Sequence, residues 1–373
     1  MLKIRGREAL PLVQGGMGVG ISAHRLAGTV AREGCVGTIS SVDLRRHHPD
    51  LMRDSGHSRD KQAIETANLV ALDREIRAAR EIAAGNGIIA VNVMRAVSQY
   101  AGYVRQSCES GADAIVVGAG LPFDLPELTA DYPGVALIPI LSEARAIGLV
   151  LRKWMRKGRL PDAIVIEHPR YAGGHLGAAK VDDVGDSRFD FAQVLPAAER
   201  LFEELGIAPI PLIVAGGINS PERVREALAL GAAGVQVGTP FAVTVEGDAH
   251  PNFKRVLAEA RPEDIVTFMS VAGLPARAVR TPWLARYLGM EALLQSRAKL
   301  RRCTLAFECL AQCGLRDGKP GMGQFCIDHH LAAARRGDVD HGLFFRGSEP
   351  VPFGSEIRPV RDLTEHLLGA RAH

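Results

Sequence analysis

A glycine-glycine-histidine turn contains the residue types most directly suited to chemistry. Gly173, Gly174 and His175 follow the apolar run 163–167, which has the length of one β-strand. Glycines permit backbone angles that a side chain would forbid, so a flat ligand can lie close to the main chain. A histidine can exchange a proton near neutrality, since its ordinary pKa is about 6.5. The turn is either a ligand site or a tight loop with a hydrogen-bonded histidine, and these residues alone favour neither.

Two further glycine-rich turns have the composition of a phosphate site. Gly216-Gly217 and Gly238-Thr239 each follow an apolar run of strand length. Backbone N–H groups of glycine can surround a phosphate dianion. A tight strand-to-helix turn explains either pair alone, but two pairs at equivalent positions favour a phosphate site.

Asn92 is a polar residue near the end of an otherwise apolar run, 88–94. It either satisfies a local backbone group or contacts a ligand above the strand ends. The glycine stretch 15–20 also follows a short apolar run, 11–14. Its spacing is not G-x-G-x-x-G, so it does not predict a dinucleotide-binding Rossmann fold.

The elements that must position these residues form an eightfold repeat. Helical patterns alternate with apolar runs of strand length, which occupy residues 11–14, 36–40, 88–94, 114–120, 135–141, 163–167, 211–215 and 234–237. Continuous apolar strands indicate a parallel sheet that is buried on both faces. Eight such units predict an α/β fold, a closed (β/α)8 TIM barrel. Ligands bind such barrels at the carboxyl ends of the strands, and a phosphate often binds after strands seven and eight, where both glycine-rich turns stand.

The rest of the chain predicts a second unit. We expect residues 1–243 to form the barrel. Residues 244–345 are expected to form a smaller, mainly helical cap domain that is inserted after strand eight and ends in a cysteine-containing tail. Residues 346–373 are expected to carry a helix that returns to the barrel.

Local patterns add expectations for single elements. Serines that precede helical patterns are expected to be N-caps: Ser22, Ser142 and Ser220. The polar stretch 43–61 is expected to be a mobile loop, because the spacing of its three histidines fits no metal-ligand pattern. In the cap, the sequence predicts a helix that begins near Pro251, a loop over 271–280 and a helix over 291–311.

Composition excludes several classes of function. The 373 residues are 47% hydrophobic and 23% charged, with a formal net charge of +3. This near-neutral charge gives no electrostatic argument for a nucleic-acid or membrane partner. No apolar run reaches the roughly 18 residues that span a bilayer, and the first residues lack the apolar core of a leader peptide. We expect a cytoplasmic protein that acts on a small molecule.

Four of the six cysteines lie in the predicted cap tail: Cys303, Cys309, Cys313 and Cys326. On the predicted helix, Cys309 and Cys313 are four residues apart and share a face. A zinc or iron–sulfur site is one interpretation, but no C-x-x-C pair is present and the spacing fits no familiar cluster. We expect buried free thiols and no metal.

These motifs together resemble the nitronate monooxygenase family, formerly called 2-nitropropane dioxygenases. The matching residues are Gln14–Met17, Asn92, Ala172–His175, Ala215–Ile218, Val237–Phe241, Glu246 and Pro275–Arg277. The resemblance implies an FMN-dependent barrel with a cap. It also implies roles for single residues: Gly16 and Met17 line the flavin, Asn92 hydrogen-bonds it, Gly173 and Gly174 lie beside it, Gly216, Gly217, Gly238 and Thr239 hold its phosphate, and His175 faces the substrate. The chain departs from the family pattern at Arg170 and Tyr171, which either narrow the site, bind an anionic group or face solvent.

The resemblance implies two alternative reactions. The first is the oxidation of alkyl nitronates, such as propionate 3-nitronate, by O2. The second is an NAD(P)H-dependent reduction of an enoyl thioester or a quinone, because FMN reductases belong to the same superfamily. A third class, a phosphate-binding barrel without flavin, is disfavoured because Asn92 and His175 accompany both glycine-rich turns. The use of NAD(P)H and the formation of a homodimer stay open.

Overall fold

Eight parallel strands close into a barrel in the computed structural model, which describes residues 1–369. The strands of this part of the chain are β1 (Leu2–Ile4), β2 (Arg7–Ala9), β3 (Leu12–Gln14), β4 (Val36–Ser40), β5 (Ile88–Met94), β6 (Ala114–Gly118), β7 (Ala136–Leu141), β8 (Ile164–Glu167), β9 (Gly174–His175), β10 (Leu212–Ala215), β11 (Gly234–Val237), β12 (Ile265–Met269), β13 (Pro275–Val279) and β14 (Phe344–Phe345). Around the barrel they follow the order β10-β11-β3-β4-β5-β6-β7-β8. The predicted (β/α)8 TIM barrel is confirmed.

Helices connect and surround the strands. They are α1 (His24–Arg32), α2 (Pro49–Ser55), α3 (Lys61–Ala83), α4 (Tyr100–Glu109), α5 (Leu125–Leu128), α6 (Ala144–Met155), α7 (Phe191–Leu205), α8 (Pro221–Ala229), α9 (Thr239–Ala242), α10 (Pro251–Glu259), α11 (Pro282–Ser296), α12 (Gly314–Asp317), α13 (Ile327–Arg335) and α14 (Val360–Leu368). No helix within residues 1–369 is both long enough and apolar enough to cross a membrane.

The barrel strands are apolar on both sides because they divide two cores. Inward-facing side chains such as Val13, Ile138 and Ile213 form the interior, and the β1–β2 hairpin closes its lower end with Leu2 and Ile4. A larger core lies between the strands and the outer helices. Each fully buried aliphatic side chain stabilises the fold by about 1.5–3 kcal/mol, so this doubly apolar pattern specifies burial on both faces.

An antiparallel sheet underlies the cap. Strands β12, β13 and β14 pair in that order, and β9 joins the sheet through β13. The last helix, α14, inserts Val360, Leu363 and Leu367 into the core formed with the barrel helices. Glu246 fixes the start of this helix, because its Oε2 accepts a 2.9 Å hydrogen bond from Val360 N. The limits of the barrel, cap and C-terminal segments stay predictions.

Two of the predicted helix caps are wrong. Ser220 is the N-cap of α8 and accepts a hydrogen bond from Arg223 N, as predicted. Ser22 instead accepts from Met17 N, and α1 begins after Ala23 without a side-chain cap. Glu143, not Ser142, occupies the N-cap position of α6.

Three predictions of local structure are also wrong. The expected loop 43–61 contains a 3-10 helix (Leu44–His47) and α2. The expected loop 271–280 contains strand β13, which tertiary pairing with β12 and β9 holds extended. The expected helix 291–311 ends with α11 at Ser296, because the chain then crosses to the barrel, where Leu310 bridges Val97.

Candidate active site

The carboxyl ends of the barrel strands open into a cavity of about 480 Å³ beneath the cap. A smaller pocket of about 130 Å³ adjoins it and shares Gly16, Met17, Gly173, Gly238 and Thr239 with it. The cavity is also lined by Asn92, Gly174 and His175, and the pocket by Gly216 and Gly217. The structure therefore brings together every residue that the sequence singled out for this site.

Gly16 and Asn92 meet at the floor of the cavity. A Cβ atom added to Gly16 would lie 2.3 Å from Asn92 Cβ and 2.9 Å from its Cγ. No side chain fits that space, so glycine is required where the loop after β3 crosses the end of β5. The close approach leaves the backbone at Gly16 and the amide of Asn92 side by side on one surface.

The cap sheet positions His175. Strand β9 is only two residues long, and it pairs antiparallel with β13 so that His175 lies opposite Ala276 and Gly174 opposite Arg277. The contact continues with a hydrogen bond from Leu176 N to Pro275 O at 2.8 Å. Gly174 has a φ of +72°, which a glycine adopts without strain as the chain turns into this pairing.

The His175 imidazole is neutral at physiological pH. Burial lowers its pKa to about 4, because desolvation disfavours the charged ring. Its Nε2 is inaccessible to water and has no hydrogen-bond partner among residues 1–369. The ring packs edge-on against Phe345, with a centroid separation of 5.6 Å. A buried polar atom without a partner is costly, so this nitrogen is a candidate for a role in the site that the cavity forms.

The smaller pocket has the shape of an anion site built from main chain. Gly216 and Gly217 have φ values of +100° and +77°, so both positions favour glycine. A Cβ atom on Gly217 would lie 3.1 Å from the Tyr171 ring. Elsewhere in the pocket lining, Thr239 Oγ1 accepts a 3.0 Å hydrogen bond from Gly347 N. No Lys or Arg side chain of the described region lines this pocket, so its donors are backbone N–H groups and the uncharged side chains of Tyr171, Asn219, Gln236 and Thr239.

The two residues that depart from the family pattern separate in space. Tyr171 lines the smaller pocket and packs against Gly217. Arg170 is exposed, and its guanidinium donates to Gly185 O outside the cavity. Tyr171 therefore narrows the pocket, whereas Arg170 faces solvent.

Glu167 is a site residue that the sequence reasoning missed. It ends β8 and lines both the cavity and the smaller pocket. Burial raises its pKa to about 7 against the opposing effect of Arg277, so its carboxyl group changes charge near neutrality. The signal was available, because Glu167 ends an apolar run with a polar residue in the same way as Asn92.

A buried carboxyl pair was also missed. Asp328, on α13, lines the cavity and lies within hydrogen-bonding reach of Asp43, which follows β4. Burial and the like charge of Asp43 raise the pKa of Asp328 to about 7. Burial also acts to raise the pKa of Asp43, but Arg46 and Arg45 lower it overall. The two residues are distant in sequence, and no local pattern predicts their contact.

The cysteines of the cap tail do not share a helix, since 309–313 lies outside α11 and α12. Cys309 lines the cavity, and its thiol pKa is raised well above the ordinary value by burial. Cys108, Cys303, Cys309, Cys313 and Cys326 are free thiols. No group of three or more His, Cys, Asp or Glu side chains in the described part of the chain could hold a metal ion.

This fold and site define a barrel enzyme whose polar groups converge at the strand ends beneath a cap. More specifically, the chain belongs to the nitronate monooxygenase family, whose model matches residues 5–368. It is an oxidoreductase. A probable nitronate monooxygenase of Bacillus subtilis is 27% identical over 289 residues, which cover 74% of this chain and 77% of that protein.

Two solved structures show the same fold. FabK from Thermotoga maritima is similar with a TM-score of 0.68 and 24% identity, over 96% of this chain and 92% of that one. A nitroalkane oxidase from Streptomyces ansochromogenes is similar with a TM-score of 0.64 and 19% identity, over 97% and 96% of the two chains. At these identities the likeness concerns the architecture of barrel and cap.

Proposed function

We propose that this enzyme binds FMN and oxidises alkyl nitronates with O2. The observation that carries the proposal is the neutral, unpartnered His175 on a largely apolar cavity that adjoins a glycine-lined pocket. A ligand with a flat ring and a phosphate suits the two connected spaces. The family to which the chain belongs gives independent support for nitronate chemistry.

The residues present fit FMN. A side chain at Gly16 or Gly217 would collide with Asn92 or Tyr171, so both glycines let the backbone lie directly against these two side chains at the edge of the proposed FMN site. Gly216, Gly217, Gly238 and Thr239 would hold the phosphate through backbone N–H groups. Gly16, Met17, Asn92, Gly173 and Gly174 would surround the ring system. When bound, FMN would supply the redox chemistry of nitronate oxidation by O2.

His175 acts on the substrate as a hydrogen-bond donor. A neutral imidazole donates from one ring nitrogen, and a nitronate oxygen carries the negative charge that such a donor stabilises. Hydrogen bonds to charged groups contribute about 1.5–3 kcal/mol. An imidazole with a pKa of about 4 is a weak base, so it is ill suited to remove a proton from a neutral nitroalkane. The site therefore favours the preformed nitronate anion.

Purified protein tests the proposal directly. We expect it to carry FMN or to take it up, and to consume O2 when mixed with an alkyl nitronate in the absence of NADH. A colourless protein that binds no added FMN would exclude the proposal. So would an FMN-loaded protein that leaves every nitronate unreacted.

Apolar residues on the cap side of the cavity, such as Leu331 and Phe345, support a second candidate function. They would also accommodate the chain of an enoyl thioester or the ring of a quinone, which an NAD(P)H-dependent FMN reductase would reduce. Anaerobic mixing of the FMN-loaded protein with NADH separates the two functions. Rapid bleaching of the flavin absorbance identifies the reductase, and unchanged absorbance together with nitronate turnover identifies the oxidase.

A further inference from the structure

The cap side of the cavity is an apolar wall. It is made by Leu274, Leu310, Ile327, Leu331, Leu343 and Phe345. These side chains come from the turn before β13, the segment before α12, helix α13, strand β14 and the residue that precedes β14. The predicted cofactor residues line the barrel side, so the chain of a bound substrate contacts this wall.

The charged groups on the cavity are unsuited to a second anion. Three lining residues are acidic, namely Glu143, Glu167 and Asp328. Arg346 is the one Lys or Arg among the described lining residues, and it is 2% exposed. Its Nε donates to Leu257 O at 2.8 Å and its Nη1 to Gly347 O at 2.9 Å, beside the phosphate pocket. A carboxylate at the apolar wall would lose water without gaining a cation, which costs several kcal/mol for an unpaired charge.

We propose that this cavity selects nitronates with an uncharged, apolar chain and discriminates against nitronates that carry a carboxylate. This inference rests on the proposed function. It therefore excludes propionate 3-nitronate as the preferred substrate, although that compound belongs to the class of alkyl nitronates. Burial of the chain against the cap wall supplies the selectivity, since each methylene removed from water favours binding.

A series of substrates measures this selectivity with the FMN-loaded protein. We expect kcat/KM for O2 consumption to rise from ethyl to butyl to hexyl nitronate, by about fourfold for each added methylene. Propionate 3-nitronate is expected to react at least tenfold less efficiently than butyl nitronate, because its carboxylate is desolvated without a partner. A flat series, or propionate 3-nitronate as the best substrate, would overturn the proposal.

A substitution on the wall reverses the preference. Leu331→Arg places a cation at a half-buried position on α13. We expect it to raise kcat/KM for propionate 3-nitronate about tenfold and to lower that for hexyl nitronate by a similar factor. Leu293→Arg is the matched control, because Leu293 lies on the cap helix α11, is 49% exposed and does not line the cavity. Equal effects of the two variants would contradict the proposal, and the wild-type series decides if Leu331→Arg does not fold.

Calorimetric titration tests the selectivity of the cavity independently of the proposed reaction. If no nitronate consumes O2, the proposed function fails while the cavity can still be tested with unreactive ligands. We then expect hexanol to bind to the FMN-loaded protein more tightly than succinate. Tighter binding of succinate would overturn the selectivity for apolar chains.

Discussion

Arg46 and Asp328 join the barrel to the cap across the wall of the cavity. Arg46 Nη2 lies 2.8 Å from Asp328 Oδ2, and the two side chains are 14% and 2% exposed. Arg46 also pairs with Asp43, so one guanidinium serves two carboxyl groups. Asp328 Oδ1 meets no donor within the described chain, and a proton on this carboxyl group would let it donate to Asp43. The pair thus holds one proton near neutrality, as closely spaced buried carboxyls do.

Asp328→Asn is expected to change how stability depends on pH. The folded protein keeps a proton on Asp328 up to about pH 7, whereas the unfolded chain loses it near pH 3.8. Wild-type stability that depends on this proton is therefore fully present below about pH 4 and is lost progressively until the pH reaches about 7. Relative to the wild type, the variant should therefore gain stability between pH 5 and pH 8.5, by on the order of 2–3 kcal/mol. Urea unfolding at both values measures the change, with exposed Asp340→Asn as the control. If the free energies of unfolding of the wild type and the variant differed by the same amount at both pH values, the result would argue against the shared proton.

His175→Ala is expected to retain FMN and to lose about 100-fold in kcat/KM for nitronate oxidation. The loss follows from removal of the hydrogen bond to the nitronate oxygen, whereas the predicted cofactor contacts are mainly backbone. Because the folded pKa is about 4, the wild-type rate should show no inflection from this residue between about pH 5 and 8. His341→Ala, at an exposed cap residue, provides the comparison. Wild-type turnover by His175→Ala would remove this residue from the site.

Glu167→Gln is expected to make FMN binding less sensitive to pH. In the wild type, the carboxyl group gains charge as the pH rises through about 7, beside the pocket proposed for the phosphate. Wild-type affinity should then fall relative to that of the variant, by on the order of tenfold between pH 6 and 8.5. The ratio of the two dissociation constants, measured by flavin fluorescence, cancels the titration of the phosphate itself. A constant ratio would count against Glu167 at the phosphate pocket, and exposed Glu263→Gln should behave as the wild type.

Gly16→Ala is expected to destabilise the fold by roughly 1–3 kcal/mol and to weaken FMN binding, since its Cβ would overlap Asn92. Gly134→Ala is the matched control, because no atom lies within 4 Å of the added methyl group. Thermal unfolding and FMN titration measure the two effects. Equal melting temperatures for the two variants would mean that the loop at Gly16 accommodates the added methyl group without a loss of stability.

The sequence predicts the barrel strands because each strand is a continuous run of apolar residues. Val36–Ser40, Ile88–Met94 and Gly234–Val237 have the predicted limits. The location of the glycine-rich turns could also be predicted from the sequence, since their position after a strand determines which end of the barrel they occupy. The same reasoning gathers Asn92, His175 and both glycine-rich turns on one rim.

Long-range contacts account for what the sequence did not predict. The extended conformation of Pro275–Val279 depends on partners far along the chain, and its own residues read as a loop. Residues 297–311 contain good helix formers, yet the pairing of Leu310 with Val97 draws the segment across to the barrel. The role of Asp328 depends on its contacts with Asp43 and Arg46. These residues are distant from it in sequence, so no local pattern predicts the contacts.

Because β9 pairs with β13, the barrel and the cap together determine the position of His175. The residue belongs to a barrel loop in sequence, but a cap strand sets its height above the floor of the cavity. Exchanging residues 244–345 with a relative would therefore alter the reacting end of the site together with the substrate wall. For protein engineering, the cap of this enzyme is not an interchangeable specificity module, and a graft that preserves function must carry its partner strand with it.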